Sequence, residues 1–403
     1  MNCRICRAKT QPIISFGRMP QANGFLAKRN DPEHFFTLTI VFCPQCFMVQ
    51  LAETLEAKIM FGDDYHFISS TSTVMLKHFK KIATDIWQMI SKKKQPFVIE
   101  LGSNDGIMLK HLAKRKVLHL GVEPAANVAN LARKNGVNVL ESFFSLQTAE
   151  KIRKHHGPAD VICGSNVFCH IENLSSVFAG IRLLLKNDGV AFFEDPYLLD
   201  IIRKTSFDQM YDEHVYYFSG LAVQNLAKQH GLYLTDMRHQ PVHGGSMRYY
   251  LSNNPLSPVS KRVRYWLSQE RKLQLHHLRG FSHFQQKVDK ISFNLKVNLL
   301  RLKKRGYQIV GYGATSKSTT ILNYAKIGPH LLRYICDTTP TKIGTFSPGT
   351  HIPIKAHTVF VKDNPPYTLL LAWNHQKEIF AKEARYRKRG GKFITYFPKI
   401  TVQ

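Results

Sequence analysis

No apolar run in this sequence approaches the roughly 18–20 residues that a membrane-spanning helix requires, so none is expected. The start, MNCRICRAKT, puts no apolar stretch behind its basic residues. It is therefore not expected to be a secretory signal, and the expected compartment is the cytoplasm. Acid is scarce: 28 Asp and Glu face 56 Lys and Arg, a formal net charge of +28. Such an excess favours nucleic acid, anionic lipid or a phosphorylated small molecule. Clustering is lacking too, since SKKKQ, KRVRYW, RLKKRG and RYRKRGGK lie far apart and no RNA-binding signature accompanies them. A basic solvated surface is the expectation, with neither nucleic acid nor membrane as partner. Long disordered tracts and short tandem repeats are also missing. At 403 residues, 44% of them hydrophobic, the chain exceeds one core and implies two or three domains.

Seven cysteines are too few and too paired for a secreted disulfide framework. Four form two CxxC pairs, Cys3 with Cys6 and Cys43 with Cys46. Each pair makes a tight knuckle that points two sulfurs inward, and two knuckles complete a tetrahedral thiolate shell. Zinc favours that shell, and four protein ligands leave no open position, so a structural Zn2+ is expected. A redox CxxC would need a βαβ context, which the short strands PIISFG and FFTLTIVF do not provide.

Beyond residue 60 the pattern changes. STVMLKHFKKIATDIWQMI carries Val74, Leu76, Phe79, Ile82, Ile86 and Ile90 at helical spacing. A strand then runs over 97–101 into the loop of ELGSNDG, a helix is predicted from about Ile107, and HLGVEP makes a second strand ending at Glu123. Strand, glycine loop, helix, strand and acid form the nucleotide-binding half of a doubly wound sheet. ADVICGSNVFCHI, LSSVFAGIRLLL, GVAFFEDP, FSGLAVQNLAKQHG, YLTDMRHQ and SMRYYLS continue the α/β alternation. After a charged helical stretch, YQIVGYG, STTILNYAKI, LLRYICD, YTLLLAW and GKFITYF restart it. The predicted fold is α/β: a zinc module over 1–60, a doubly wound α/β domain over 61–258, a helical connector over 259–305 and a Rossmann-like domain over 306–403.

ELGSNDG lacks GxGxxG, and Asp105 is a poor neighbour for a pyrophosphate. The loop suits a cofactor with a cationic centre and no phosphate, and S-adenosylmethionine has both properties. Glu123 sits where a carboxylate can accept both ribose hydroxyls.

With those pieces in view, the whole chain resembles the nucleotide-sugar C-methyltransferases, whose type reaction is 3-C-methylation of a 4-keto deoxysugar. The resemblance rests, in order, on the two CxxC pairs, DDYHFISSTS, ELGSNDG, GVEP, NVFCHI, YDEHVYYFS, HGGSMRYY, GYGATSKSTTILNY, PGTHIPI and AWNH. It implies that the domain over 61–258 is a class I (Rossmann-like) methyltransferase domain, with a nucleotide-diphosphate sugar as substrate and Tyr65, His170, Tyr211, Glu213 and His214 around it. Glu100, Gly102, Asn104, Asp105, Gly106, Glu123 and Asn166 are the expected cofactor residues. Asp212 stands where the family usually shows His or Asn, and YHFISSTS has fewer tyrosines than usual; both departures bear on the choice of sugar. A 4-keto group acidifies the C3 proton, so the site needs a base and donors for the enolate oxygen. His214 has the suitable intrinsic pKa and is the candidate base; Tyr211, His170 and Tyr65 are candidate donors. Arg248 of HGGSMRYY is expected to face the diphosphate, and the C-terminal domain to help hold the substrate through Lys317. The quaternary expectation is a monomer or weak dimer. The rival reading is an RNA methyltransferase that grips its substrate with the zinc module and basic surface.

Overall fold

The structure, a computed structural model, describes residues 1–55 and 69–403. Strand β1 (Gln11–Pro20) pairs antiparallel with β2 (Phe35–Phe42), which pairs with β3 (Val49–Leu51). Alternation in FFTLTIVF buries Phe36, Leu38 and Ile40 on one face, as a half-buried strand requires. One CxxC knuckle precedes β1 and the other turns β2 into β3.

The central sheet holds β4 (Phe97–Leu101), β5 (Leu118–Val122), β6 (Val139–Leu140), β7 (Ala159–Ser165) and β8 (Leu185–Pro196), all parallel. The near-continuous apolar sequence of β4 follows from burial on both faces. After β8 the chain leaves this sheet. Two residues of the YDEHVYYF run, β9 (Tyr216–Tyr217), add a fourth strand to the N-terminal sheet beside β3. The chain then returns as β10 (Tyr233–Gln240) and β11 (Ser246–Ser252), giving the order β10-β11-β8-β7-β4-β5-β6 with β11 antiparallel to its neighbours. The order reverses between β4 and β7. In such sheets a ligand binds at that switch point, beyond the carboxyl ends of the strands.

The helix Thr73–Ile90 forms as expected, capped by Ser72, with Phe79, Ile82, Ile86 and Ile90 buried and Val74 exposed. The helix after the ELGSNDG loop is shorter than its sequence predicts. Residues 107–109 are turns, and only Lys110–Ala113 is helical before Lys116 takes a left-handed conformation. The stretch 259–305 does contain helices, Lys261–Lys272 and Phe284–Lys304. It is packed rather than a free linker. Buried Glu270 accepts from the Tyr197 hydroxyl (2.7 Å) and from the amides of Gly220 (2.7 Å) and Leu221 (2.9 Å), which caps the helix Gly220–Gln229.

The last sheet contains β12 (Ile309–Tyr312), β13 (Ile335–Asp337), β14 (Ile354–Ala356), β15 (Tyr367–Leu370), β16 (Lys392–Thr395) and β17 (Thr401–Val402). Its order is β14-β13-β12-β15-β16-β17, parallel except for β17. Strands β14 and β17 are too short to carry a periodic signal in the sequence. Among the described residues no helix is long and apolar enough to cross a membrane.

Candidate active site

The two knuckles are built alike. The amide of Arg7 donates to the carbonyl of Cys3 (3.0 Å), and that of Phe47 to Cys43 (2.9 Å). Arg7 and Phe47 are both left-handed, at φ 64° and 65°, a strained conformation for side-chain-bearing residues that the surrounding shell must hold in place. The sulfurs of Cys3, Cys6, Cys43 and Cys46 all lie within 4.8 Å of one another. The pairs Cys3–Cys46 and Cys6–Cys43 stand 3.6 and 3.4 Å apart. A regular tetrahedron with Zn–S bonds of about 2.3 Å needs sulfurs about 3.8 Å apart. Thiols this close oppose joint ionisation, since each bond to Cys3 pushes Cys43 and Cys46 up. A dication among them removes that conflict. Buried Gln50 donates through Nε2 to Cys3 Sγ (3.1 Å), a contact suited to a thiolate. These residues fit a structural zinc.

At the switch point, Gly102 (φ +63°) ends β4 so closely beneath Val167 that a Cβ would lie 2.3 Å from its Cγ2. Only glycine permits both the turn and the approach. Asn104 and Asn166 are also left-handed, at φ 48° and 56°. Glu123 accepts at Oε2 from the amide of Asn104 (2.9 Å) and at Oε1 from that of Ala125 (3.1 Å), tying the loop to the end of β5. Glu100, 3% exposed, lies among the fields of Asp105 and Glu123. Burial first, then Asp105 and Glu123, push its pKa well above the usual carboxylate value. Burial also raises Glu123, against the two amides that hold it down. Among the described residues, Glu100 Oε2, Ser103 Oγ and Asp105 Oδ1 are buried without hydrogen-bond partners. A buried cluster of carboxylates and idle acceptors fits a ligand that brings positive charge and donors. The expected cofactor residues thus converge on one crevice. Gly106 (φ +74°) packs beside Val137 behind it.

Arg248 corrects an expectation. It is buried on β11 and donates to Glu194 Oε2 through Nε at 2.9 Å and Nη2 at 2.8 Å, so it does not present a guanidinium to a diphosphate. Glu194 also meets His78 Nε2 at 2.6 Å. Of the two glycines before Arg248, Gly244 packs on the Trp373 ring and Gly245 on the Asp200 carboxylate.

Residues 208–214 lie where the three units meet. The Ala22 amide donates to the Asp212 carboxylate (3.1 Å), and Asn23 Nδ2 donates to Glu213. From the C-terminal unit, Ser316 donates to Asn23 Oδ1 (2.8 Å), Thr320 to the Met210 carbonyl (2.9 Å) and Trp373 Nε1 to Asp208 Oδ2 (2.6 Å). His214 is 1% exposed. Its Nδ1 lies 2.9 Å from the Gln209 carbonyl, which can only accept, so Nδ1 carries the proton. Its Nε2 is therefore the acceptor, 2.9 Å from the Tyr211 hydroxyl. His170 Nδ1 likewise donates to the Glu213 carbonyl (2.8 Å), and its ring lies 5.0 Å from that of His214. Burial, then His170 and Lys317, hold His214 well below its ordinary pKa. Burial takes His170 to about 4. Burial and the neighbouring Asp212 push Glu213 up. The imidazoles are thus neutral near pH 7. Tyr211, Glu213, His214 and His170 come together, and Tyr65 lies outside the described residues. Glu213 and His214 diverge: Asn23 holds one, Gln209 and Tyr211 the other. Asn23, Asp208 and Trp373 are contributors that sequence reasoning missed. For Trp373 the motif AWNH was the available signal, whereas Asn23 and Asp208 gave none.

Three family models match the chain in sequence: a domain described as zinc-binding over residues 3–61, a methyltransferase domain over 75–236, and a C-methyltransferase C-terminal domain over 241–398. The C-methyltransferase NovU of Streptomyces niveus is 30% identical over 404 residues, spanning 99% of this chain and 96% of that protein. Among solved structures, the magnesium protoporphyrin IX methyltransferase of Synechocystis PCC 6803 is 11% identical over 48% of this chain and 88% of its own, with a TM-score of 0.33. The CcbJ methyltransferase of Streptomyces caelestis is 13% identical over 48% and 98%, with a TM-score of 0.38. At those scores the structural likenesses carry no argument. The full-length match, the four-cysteine cluster and the acid-lined crevice do: the chain belongs to the C-methyltransferase family and is an S-adenosylmethionine-dependent C-methyltransferase.

Proposed function

We propose that this enzyme methylates C3 of a nucleotide-diphosphate-linked 4-keto-deoxysugar through an enolate. The observation that carries the reading is the Tyr211–His214 pair: a buried, neutral imidazole whose Nδ1 proton is committed to Gln209 and whose Nε2 accepts from a tyrosine. Carbon has no lone pair to offer, so its methylation needs a carbanion equivalent, and a ketone beside the carbon provides one. Tyr211, 7% exposed against 1% for His214, is the more accessible half of the pair: its oxygen takes the C3 proton as its own hydroxyl proton passes to His214 Nε2, the terminal acceptor. The C3–H electrons form the C3–C4 double bond, and the carbonyl pair moves onto O4. When bound, S-adenosylmethionine supplies the electrophilic methyl carbon that the enolate takes. Glu123 and the Gly102–Gly106 loop would hold the adenosine ribose, and Glu100 and Asp105 the cationic end. Glu213, oriented by Asn23, and His170 would position the sugar. The region 61–258 then serves the cofactor, and 306–403 closes over the sugar at Asp208 and Met210. Mass spectrometry of a panel of nucleotide-4-ketosugars with S-adenosylmethionine tests this. One member should gain a single methyl group at C3. Methylation at oxygen, or of none of the panel, would refute the proposal.

A further inference from the structure

We infer that Lys317, in the C-terminal unit, is a catalytic residue whose ammonium holds the enolate oxygen O4 during proton abstraction. The inference rests on the ketosugar reading above and adds a residue to it. Lys317 is the second residue of the helix Ser316–Tyr324, and the first turn of that helix is fastened to the catalytic run. Ser316 reaches Asn23, which in turn donates to Glu213. Thr319 donates to the Ala22 carbonyl at 3.0 Å and Thr320 to that of Met210 at 2.9 Å. These contacts place Lys317 over the 208–214 segment.

The groups whose fields it shares come from several elements. They are Asp208 and His214 in the run, Cys169 in the turn after β7, His243 in the turn before β11, and His375 in the turn after β15. His170 faces His214 from the same turn as Cys169. Among the described residues no hydrogen bond or ion pair engages the Lys317 ammonium. Asp208, the acid that attracts it, gives its Oδ2 to Trp373 and to Tyr396 (3.1 Å), while its Oδ1 is buried and unpartnered. Burial lowers the pKa of Lys317 and lifts that of Asp208 to about 7. A half-buried cation is therefore held over the 208–214 run without a full counter-ion. Two properties follow. It adds to the burial and the His170 field that keep His214 unprotonated, and it meets negative charge where that charge develops, in a site that reorganises little. O4 is attached to the carbon next to C3, so a cation on a helix fastened over the segment that carries the base is placed to meet the charge that develops on O4. The diphosphate is attached at C1, on the far side of the ring.

The test uses the full-length enzyme with the ketosugar that wild type converts, comparing Lys317→Met with Lys317→Arg. Removal of one oxyanion donor typically costs about 10²–10³-fold. Lys317→Met should lose that much in kcat and in exchange of the C3 hydrogen with deuterated water, measured with S-adenosylhomocysteine present. KM and S-adenosylhomocysteine affinity should stay within about threefold, the latter also showing that the variant is folded. The acidic limb of kcat/KM should move to higher pH in the Met variant and stay in place in the Arg variant. Added ethylammonium should restore exchange in Lys317→Ala, whatever the fate of the Met variant. A raised KM with kcat and exchange intact would overturn the inference and assign Lys317 to the diphosphate. Wild-type exchange in the Met variant, or no rescue of the Ala variant, would also overturn it. A wild-type enzyme that converts no ketosugar counts against the substrate reading instead.

Discussion

Glu100 should make cofactor binding a proton-linked event. Its carboxylate is buried at the end of β4, Oε2 lacks a partner among the described residues, and Asp105 and Glu123 add like charge. The cofactor-free protein therefore keeps a proton on Glu100 at pH values where an ordinary glutamate has lost it. A sulfonium entering the crevice should stabilise the carboxylate and expel that proton. Affinity for S-adenosylmethionine should rise with pH, by at most about tenfold per pH unit for one proton. S-adenosylhomocysteine has no sulfonium and should show a flatter profile. Unit charges about 4 Å apart at an effective dielectric of about 20 attract by about 4 kcal/mol. Part of that is offset by holding the buried acid ionised. Glu100→Gln should thus weaken S-adenosylmethionine by roughly ten- to a hundredfold at pH 8 and leave S-adenosylhomocysteine within about threefold. The sign for stability is opposite. A raised folded-state pKa contributes stability below the ordinary carboxylate value and loses it as pH rises through the raised one. Glu100→Gln should therefore raise the melting temperature of the cofactor-free protein at neutral and alkaline pH. Titration calorimetry in buffers of different ionisation enthalpy counts the released proton directly. No proton release by wild type, or a pH slope that survives in Glu100→Gln, would refute the reasoning.

Cys43→Ser should lose one zinc per chain and destabilise the N-terminal unit, because structural zinc contributes folding energy; fresh wild-type protein with no zinc by metal analysis would contradict the assignment. His214→Asn should keep cofactor binding yet lower kcat about 10²–10⁴-fold and abolish C3 hydrogen exchange, whereas exchange at the wild-type rate would clear His214 and turn attention to His170. Glu270→Ala strips the acceptor from two helix amides and the Tyr197 hydroxyl, and bonds to a buried charged acceptor contribute about 1.5–3 kcal/mol each. Its unfolding midpoint in urea should fall clearly with kcat nearly unchanged in the folded fraction, and an unaltered midpoint would show the cap to be unimportant. Glu123→Ala should weaken S-adenosylhomocysteine by about tenfold or more, and calorimetry on the folded variant checks it.

The sequence alone carried whatever depends on short spacing. A CxxC knuckle needs only its own few residues to aim two sulfurs, a helix such as Thr73–Ile90 is written in its period, and ELGSNDG followed by an acid at the end of the next strand encodes a complete loop. The residues that come together at each of those places were legible for the same reason. Tertiary structure decided what depends on distant partners. A two-residue strand such as β9 has no period of its own, and it forms because β3 offers it an unpaired edge. Arg248 looked like an anion binder until β8 set Glu194 against it, and burial then required the pair. Asn23 is unremarkable in its turn and becomes a hinge of the site only when Glu213 and Ser316 meet it across the chain. Lys317 likewise acquires chemistry from Asp208 and His214, residues of another unit. Local preferences are settled by neighbours within one turn or one strand, but a buried charge takes its meaning from whichever groups the packed core brings within a few ångströms of it, and no spacing along the chain records that distance.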